Sequence, residues 1–246
     1  MIDRYDRQRT LVDQEIISKA IVSVVGVGGL GCEASQPIVG LGVGRLDIYD
    51  NDKIVRSNLN RQSYNEDDIG KEKAPTFAEK LRKWNSEISI EGHYLHIDER
   101  TIHHLSDSDV IVDATDNFNT RVLLNRFAVR KRKPLVSGGM RGLRAQVAVY
   151  YPQKGYPCID CKLDIERLAK RNRRERRRQH CDRNPDPAVA TVSKIIGGIM
   201  AEQVRKILSP ANEDDEPIRG ILQYNALLDK PFILIPTEKR ESCKCV

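Results

Sequence analysis

The chain has 246 residues, 39% of them hydrophobic and 31% charged, with a formal charge of +6 at pH 7. It is long enough to bury a full α/β core, and no run of about 18 uncharged apolar residues offers a membrane span. Its charged start, Met1-Ile-Asp-Arg-Tyr-Asp-Arg7, does not read as a secretion signal, so the expectation is a cytoplasmic protein whose six cysteines are ligands or nucleophiles rather than a disulfide framework.

In chain order, an apolar strand at Ile21 to Val25 runs into Gly26-Val-Gly28-Gly29-Leu-Gly31. A helix near 30 to 42 follows, then an apolar run at Leu46 to Tyr49 that closes on Asp50. A strand turning sharply into a helix needs these glycines, so that backbone N–H groups and the helix dipole can meet phosphate; an acid at this distance suits a ribose hydroxyl. Further strands at Ile88 to Ile90, Val110 to Val112 and Leu135 to Val136 alternate with helices near 71 to 84 and 117 to 131, which predicts a doubly wound, Rossmann-like, mostly parallel sheet. After Gly142 the pattern changes. Gln146 to Tyr151 reads as an antiparallel addition, a long helix spans about Ala188 to Leu208, and short strands lie near Ile221 to Tyr224 and Phe232 to Ile235.

The positive charge is local. Residues 170 to 178 hold seven of the 41 bases and one of the 35 acids, which leaves 34 of each elsewhere. A block of like charge self-repels and stays solvated or mobile, or else docks an acidic partner or phosphate; both readings stand. No aromatic residue interleaves with it, which argues against a single-strand nucleic-acid module.

A nicotinamide enzyme needs little beyond the glycine loop and Asp50, and this chain has more. Arg61 and Lys73 follow the second strand, and Asp113 and Asp116 follow the fourth, on segments that converge beside the glycine loop in such a sheet. Cations for phosphate and hard oxygen ligands for magnesium are what a nucleoside triphosphate requires.

Six motifs stand in order: Arg4-Tyr-Asp-Arg7-Gln8, the loop Gly26 to Gly31, Asp50-Asn-Asp52, Ser57-Asn58-Leu-Asn-Arg61-Gln62, Lys73, and Ala114-Thr-Asp116-Asn117. They resemble the motifs of the ubiquitin-activating-enzyme superfamily, whose simpler members are the adenylyltransferases of molybdopterin and thiamine synthesis. The resemblance implies that MgATP is attacked at its α-phosphate by the C-terminal glycine carboxylate of a small ubiquitin-fold protein ending in Gly-Gly, giving an acyl adenylate and pyrophosphate. It places Gly26, Gly28, Gly29 and Gly31 against the nucleotide, Asp50 on the ribose, and Arg61 and Lys73 on the phosphates. Asp116 falls to magnesium, and Asp52, Asn58, Gln62 and Asn117 line the same site. Arg7 matches an arginine that reaches the phosphates across a homodimer. One adenylation domain over 1–246 is implied, with the nucleotide core in 15–142 and the substrate, crossover-loop and zinc part in 143–246.

Cys158-Ile-Asp-Cys161 and Cys243-Lys-Cys245 supply four thiolates, the number and softness that tetrahedral zinc prefers. The resemblance places a structural zinc here, normally between two Cys-x-x-Cys pairs. The second pair is one residue shorter and sits where chain ends fray, so unligated or redox-active thiols are the other reading. Cys181 matches the place where thioester-forming members keep their nucleophile, and the adjacent positive charge favours a thiolate. A spare thiol is the alternative there. Cys32 reads as core packing, His180 as an exposed polar residue, and His103 and His104 as a connection with no partner in view.

Two functions follow from the resemblance. In the favoured one Cys181 takes the ubiquitin-like protein as a thioester and passes it to a ubiquitin-conjugating-type enzyme; the long insert before Cys181 tilts the reading that way. In the other, a sulfur-carrier adenylyltransferase, an external sulfur donor attacks the adenylate to give a thiocarboxylate.

Overall fold

The computed structural model describes residues 3–178, 187–241, 243 and 245. A one-turn helix α1 (Gln14–Ile17) precedes β1 (Ile21–Val25), α2 (Gly29–Leu41), β2 (Arg45–Asp50), α3 (Lys73–Trp84) and β3 (Ser89–Tyr94). Then come β4 (Val110–Asp113), α4 (Phe118–Lys131), β5 (Leu135–Arg141) and β6 (Arg144–Tyr150). Two helices, α5 (Ile159–Leu163) and α6 (Ile165–Arg178), lead to α7 (Ala190–Leu208), β7 (Ile221–Asn225) and β8 (Phe232–Ile235).

The eight strands form one sheet in the order β3-β2-β1-β4-β5-β6-β7-β8. Pairs from β3 through β5 are parallel and those from β5 to β8 antiparallel, as the sequence predicts. Both faces are covered, so β1 reads Ile-Val-Ser-Val-Val with no polar alternation except Ser23, whose hydroxyl shares a 2.7 Å hydrogen bond with Ser108. Val22, Val24, Leu46 and Ile48 face α2, α3 and α7, while Val25, Tyr49 and Ile111 face α4 and α5. Because the order reverses between β1 and β4, their carboxyl ends flank the crevice where doubly wound sheets bind ligands.

The differences from expectation have local causes. β3 runs to Tyr94 because its six residues pair with all of β2, and β5 runs to Arg141 because Gly142, at φ +62°, turns it straight back into β6. The helix α3 starts at Lys73, not 71, since Glu72 bridges to Lys53 and the Lys73 N–H donates to the Asp52 carbonyl. Likewise α7 starts at Ala190 because Ala188 bridges to Gly142. The first turns of the basic block are not a free coil: α6 is helical through Arg178, anchored by buried Ile165 and Ala169 and by Glu166, which pairs with Arg126 at 2.8 Å. His103 and His104 do have partners. Their rings stack at 4.4 Å, His103 Nδ1 lies 2.7 Å from the Arg100 carbonyl, and the His104 ring meets Tyr49.

The helices α2 and α7 cross where Gly197 has no side chain; a Cβ there would lie 2.4 Å from Glu33 Cβ and 2.7 Å from its carbonyl carbon. Its neighbour Gly198 faces open space. Gly197→Ala is therefore expected to destabilise the protein by about 1–3 kcal/mol through overpacking, and Gly198→Ala to stabilise it by roughly 0.5–1 kcal/mol through helix propensity. Urea unfolding of the two variants checks this, and the opposite ranking would refute the packing.

Candidate nucleotide site and cysteine cluster

The glycine turn is built by close backbone approach. Gly26 carries φ +88° and donates its N–H to the Tyr49 carbonyl at 2.8 Å. A Cβ at Gly31 would stand 1.9 Å from the Gly26 carbonyl oxygen, so only glycine lets α2 begin against the turn. At Gly26 itself a Cβ would meet the Ala114 carbonyl oxygen at 3.0 Å, which puts the loop after β1 directly against the loop after β4.

Asp50 ties the ends of β1 and β2: Oδ2 accepts the Val27 N–H and Oδ1 the Asp52 N–H, each at 2.8 Å. Each oxygen keeps a second lone pair. Burial raises the Asp50 carboxyl above its usual range, against the pull of the Lys73 charge and the two N–H donors. Lys73 has a side chain only 8% exposed and sets Nζ 2.8 Å from Asp52 Oδ2. On the 56–62 segment, buried Asn58 accepts the Val55 N–H, and Arg61 donates to the Ser57 carbonyl and to Asn60 Oδ1 at 2.9 and 3.0 Å. Gln62 is buried beside Gly28, and its Oε1 has no partner among the described residues. The sequence-predicted residues Gly26, Gly28, Gly29, Gly31, Asp50, Asp52, Asn58, Arg61, Gln62 and Lys73 are thus on connected segments at one edge of the crevice.

Asp116 is exposed in the loop after β4, and Asn117 caps α4 by accepting the Asn119 N–H at 2.9 Å. A groove of about 380 Å³ opens beside Asn117, between the segment 96–99, α4 and α6, with Ile97, Arg126 and Lys170 in its wall. Arg7 is not brought to this site within one chain. The neighbouring Gln8 bonds to the Leu41 carbonyl at the far end of α2, and that 13-residue helix is about 20 Å long.

Sequence reading missed what holds the Asp116 loop. Asp113 Oδ1 accepts the Thr115 N–H and hydroxyl, while Oδ2 accepts the Ser137 hydroxyl and lies 2.9 Å from Arg121 Nε. Arg121, buried on α4, donates to the Thr115 and Gly138 carbonyls at 2.7 and 2.6 Å. The signal available was an arginine one helical turn after Asn117, beside an acid that ends an apolar strand. Arg121→Met would leave the buried Asp113 carboxylate without its counter-charge, with an expected loss of about 3–5 kcal/mol. The double variant with Asp113→Asn should recover much of it in denaturant unfolding; equal instability of both would refute the pairing.

The four cysteines assemble as predicted. Cys158 Sγ lies 3.7 Å from Cys243 Sγ, Cys161 Sγ lies 3.8 Å from Cys245 Sγ, and all four sulfurs fall within 4.8 Å of one another. A tetrahedral zinc with Zn–S near 2.3 Å requires S···S of about 3.8 Å, so the cluster fits the metal, and four protein ligands leave no open position. The short Cys243-Lys-Cys245 chelate is held: Cys245 is buried, and its carbonyl accepts the Tyr150 hydroxyl at 2.9 Å. Asn125 Nδ2 donates to Cys158 Sγ and the Arg240 N–H to Cys161 Sγ. Asp47, Glu91 and His93 form another compact group, but Asp47 is already paired with Arg45 at 2.9 Å. Cys32 is core, as expected: it is fully buried, donates to the Val27 carbonyl, and burial pushes its thiol up to about 12. Cys181 and His180 lie outside the described residues.

Comparison with known proteins agrees with this architecture. The model of the ThiF family matches residues 5–245. The sulfur carrier protein adenylyltransferase of Thermus thermophilus is 37% identical over 98% of this chain and 89% of its own length. The SAMP-activating enzyme E1 of Haloferax volcanii is 31% identical over 98% and 87%. The adenylyltransferase and sulfurtransferase MOCS3 of Anopheles gambiae is 42% identical over 65% of this chain, and the match spans only 38% of that protein. Among solved structures, E. coli MccB with ATP superposes with a TM-score of 0.82 at 25% identity, covering 100% of this chain and 74% of MccB. No described helix is long and apolar enough to cross a membrane. The chain belongs to the ThiF family.

Proposed function

We propose that the protein adenylates the C-terminal glycine of a small ubiquitin-fold sulfur carrier, using MgATP. What carries the reading is the convergence, at the carboxyl ends of β1, β2 and β4, of an anion-accepting glycine turn, Asp50, the Lys73–Asp52 pair and the Asp116 loop. The Thermus thermophilus relative, matched over nearly the whole chain and named a sulfur carrier protein adenylyltransferase, favours a sulfur carrier over the conjugation reading that the sequence alone preferred. The ribose takes the remaining lone pairs of Asp50, and the unpartnered Gln62 Oε1 supplies one further acceptor in the site. Lys73 and Arg61 exchange their present partners, Asp52 and the Ser57 carbonyl, for phosphate oxygens. Asp116, exposed and facing no described ion-pair partner, would hold a magnesium ion, whose charge would offset that of the phosphates.

In the chemical step a carboxylate oxygen of the carrier attacks the α-phosphorus, and the bond to the bridging oxygen breaks with its electron pair leaving on pyrophosphate. Attack by a donor's persulfide sulfur on the acyl carbon then expels AMP and forms an acyl disulfide with the donor; a second thiol attacks the donor sulfur of that S–S bond, forms a disulfide with the donor and releases the thiocarboxylate. Arg7, remote from the site in its own chain, acts across a homodimer. The enzyme works in the cytoplasm, where its cysteines stay reduced, with zinc at Cys158, Cys161, Cys243 and Cys245 as a structural metal.

A second reading, thioester formation at Cys181 followed by transfer to a conjugating enzyme, is favoured by the full-length match to a relative named as an E1. ATP–pyrophosphate exchange with a panel of Gly-Gly-terminated ubiquitin-fold proteins tests both. Exchange is expected with a sulfur-carrier partner, and Lys73→Ala and Asp116→Ala should each lower it by about 10²–10³-fold. Cys181→Ala should leave exchange and thiocarboxylate formation intact; a thiol-sensitive carrier adduct formed by the wild type and lost in that variant would move the assignment to the second reading. No exchange with any partner would overturn adenylation.

A further inference from the structure

A second set of metal-ligating side chains stands at the edge of the sheet, apart from the cysteines. Asp47 on β2 and Glu91 on β3 are partners in the parallel register, and His93, the partner of Tyr49, follows on the same face. One ligand atom from each of the three lies within 4.8 Å of the other two. Two carboxylates directly opposite each other on neighbouring strands repel, so the pair calls for positive charge. Arg45 supplies part of it, its Nε donating to Asp47 Oδ1 at 2.9 Å. That bond leaves Asp47 Oδ2 without a described hydrogen bond, and the one described ion-pair partner of Glu91 is His93 itself.

His93 does not close the gap by hydrogen bonding. Its Nε2 is buried and has no hydrogen-bond partner among the described residues, yet it lies 3.7 Å from Asp47 Oδ1 and 3.8 Å from Glu91 Oε2. The ring is held in this aim, for it stacks on buried Tyr49 at 4.7 Å and 14°, and the Tyr49 hydroxyl donates to the His104 carbonyl at 3.4 Å. A divalent ion about 2.0–2.2 Å from each of three donors spaces them about 3.0–3.6 Å apart, slightly inside the present contacts, and the exposed Glu91 side chain can close that difference. We propose that Asp47, Glu91 and His93 bind a divalent transition ion of the zinc class, which clamps the edge strand β3 to β2. Imidazole in the donor set selects such an ion over magnesium, whose ligands are oxygens. Arg45 is then the outer partner that orients the Asp47 carboxylate. All three ligands stand on paired strands, so folding sets their spacing before an ion arrives.

Zinc titration of the full-length protein in excess magnesium tests this, read by long-range proton–nitrogen spectra of the histidine rings and by competition with a fluorescent indicator. Zinc added beyond whatever the cysteine cluster retains is expected to shift the His93 Nε2 resonance of the wild type. His93→Gln and Glu91→Gln should each weaken that binding by at least the about 10- to 100-fold that loss of an outer partner costs a metal site. His103→Gln, in the neighbouring ring pair, should leave it unchanged. A shift centred on another histidine, no shift at all, or wild-type affinity in His93→Gln would overturn the proposal. A His93 ring that responds to acid but not to zinc would also overturn it, leaving a protonated imidazolium between the two carboxylates. The wild-type spectrum reads the site without any variant, so the test stands even where a substitution destabilises the fold.

Discussion

The contact between Gly31 and the Gly26 carbonyl fixes the start of α2 relative to the end of β1, and the rest of the site is hung on that geometry. With the helix held there, the Val27 N–H is turned toward β2, where Asp50 accepts it, and the turn is brought against Ala114 at the end of β4. Three strand ends are thereby locked together by backbone groups before any charged side chain is considered. A Cβ at either glycine would force the loops apart. The crevice at the strand-order reversal follows from topology, whereas the close approach of its β1 and β4 loops follows from these two residues.

The charged groups divide by burial into those that build and those that remain available. Asp113 and Arg121 are buried, and all of their described partners come from the protein itself. That pair costs desolvation, which its hydrogen bonds to Thr115, Ser137 and Gly138 offset, and the return is a rigid loop. Asp116, three residues along from Asp113, stays exposed. A fixed backbone carrying an uncommitted carboxylate is the arrangement that metal–phosphate binding asks of a protein. Lys73 is intermediate: its stem is buried and its ammonium faces one exposed acid, Asp52.

How much of this could be read in the sequence depended on range. The parallel strands were legible because fully buried strands are continuous apolar runs, and the glycine turn because its residue types are dictated by close approach. The four cysteines were legible as a set since four thiolates have the number and softness that tetrahedral zinc prefers, although nothing in the spacing shows that Tyr150 would hold Cys245 in place. The exact starts of α3 and α7 were not legible, since each is set by an isolated bridge to a distant segment, Lys53 to Glu72 and Gly142 to Ala188. The Asp113–Arg121 network was hidden for the same reason: its members look like ordinary polar residues until the fold buries them. That the basic block lies on a helix was not legible, because composition weighs self-repulsion but cannot see Ile165 and Ala169 anchoring that helix at its other end.

The described ends on either side of Cys181 constrain what the chain can do there. The helix α6 carries the chain to Arg178, and the next described residue, Pro187, accepts the Gly142 N–H at 2.7 Å at the β5–β6 turn. Ala188 then accepts from Asn60, the neighbour of Arg61. The anchor at Pro187 therefore stands beside the segment that carries Asn58, Arg61 and Gln62. The two proposed readings differ in the nucleophile of the second step, which is a property of a thiol or of the partner rather than of the sheet.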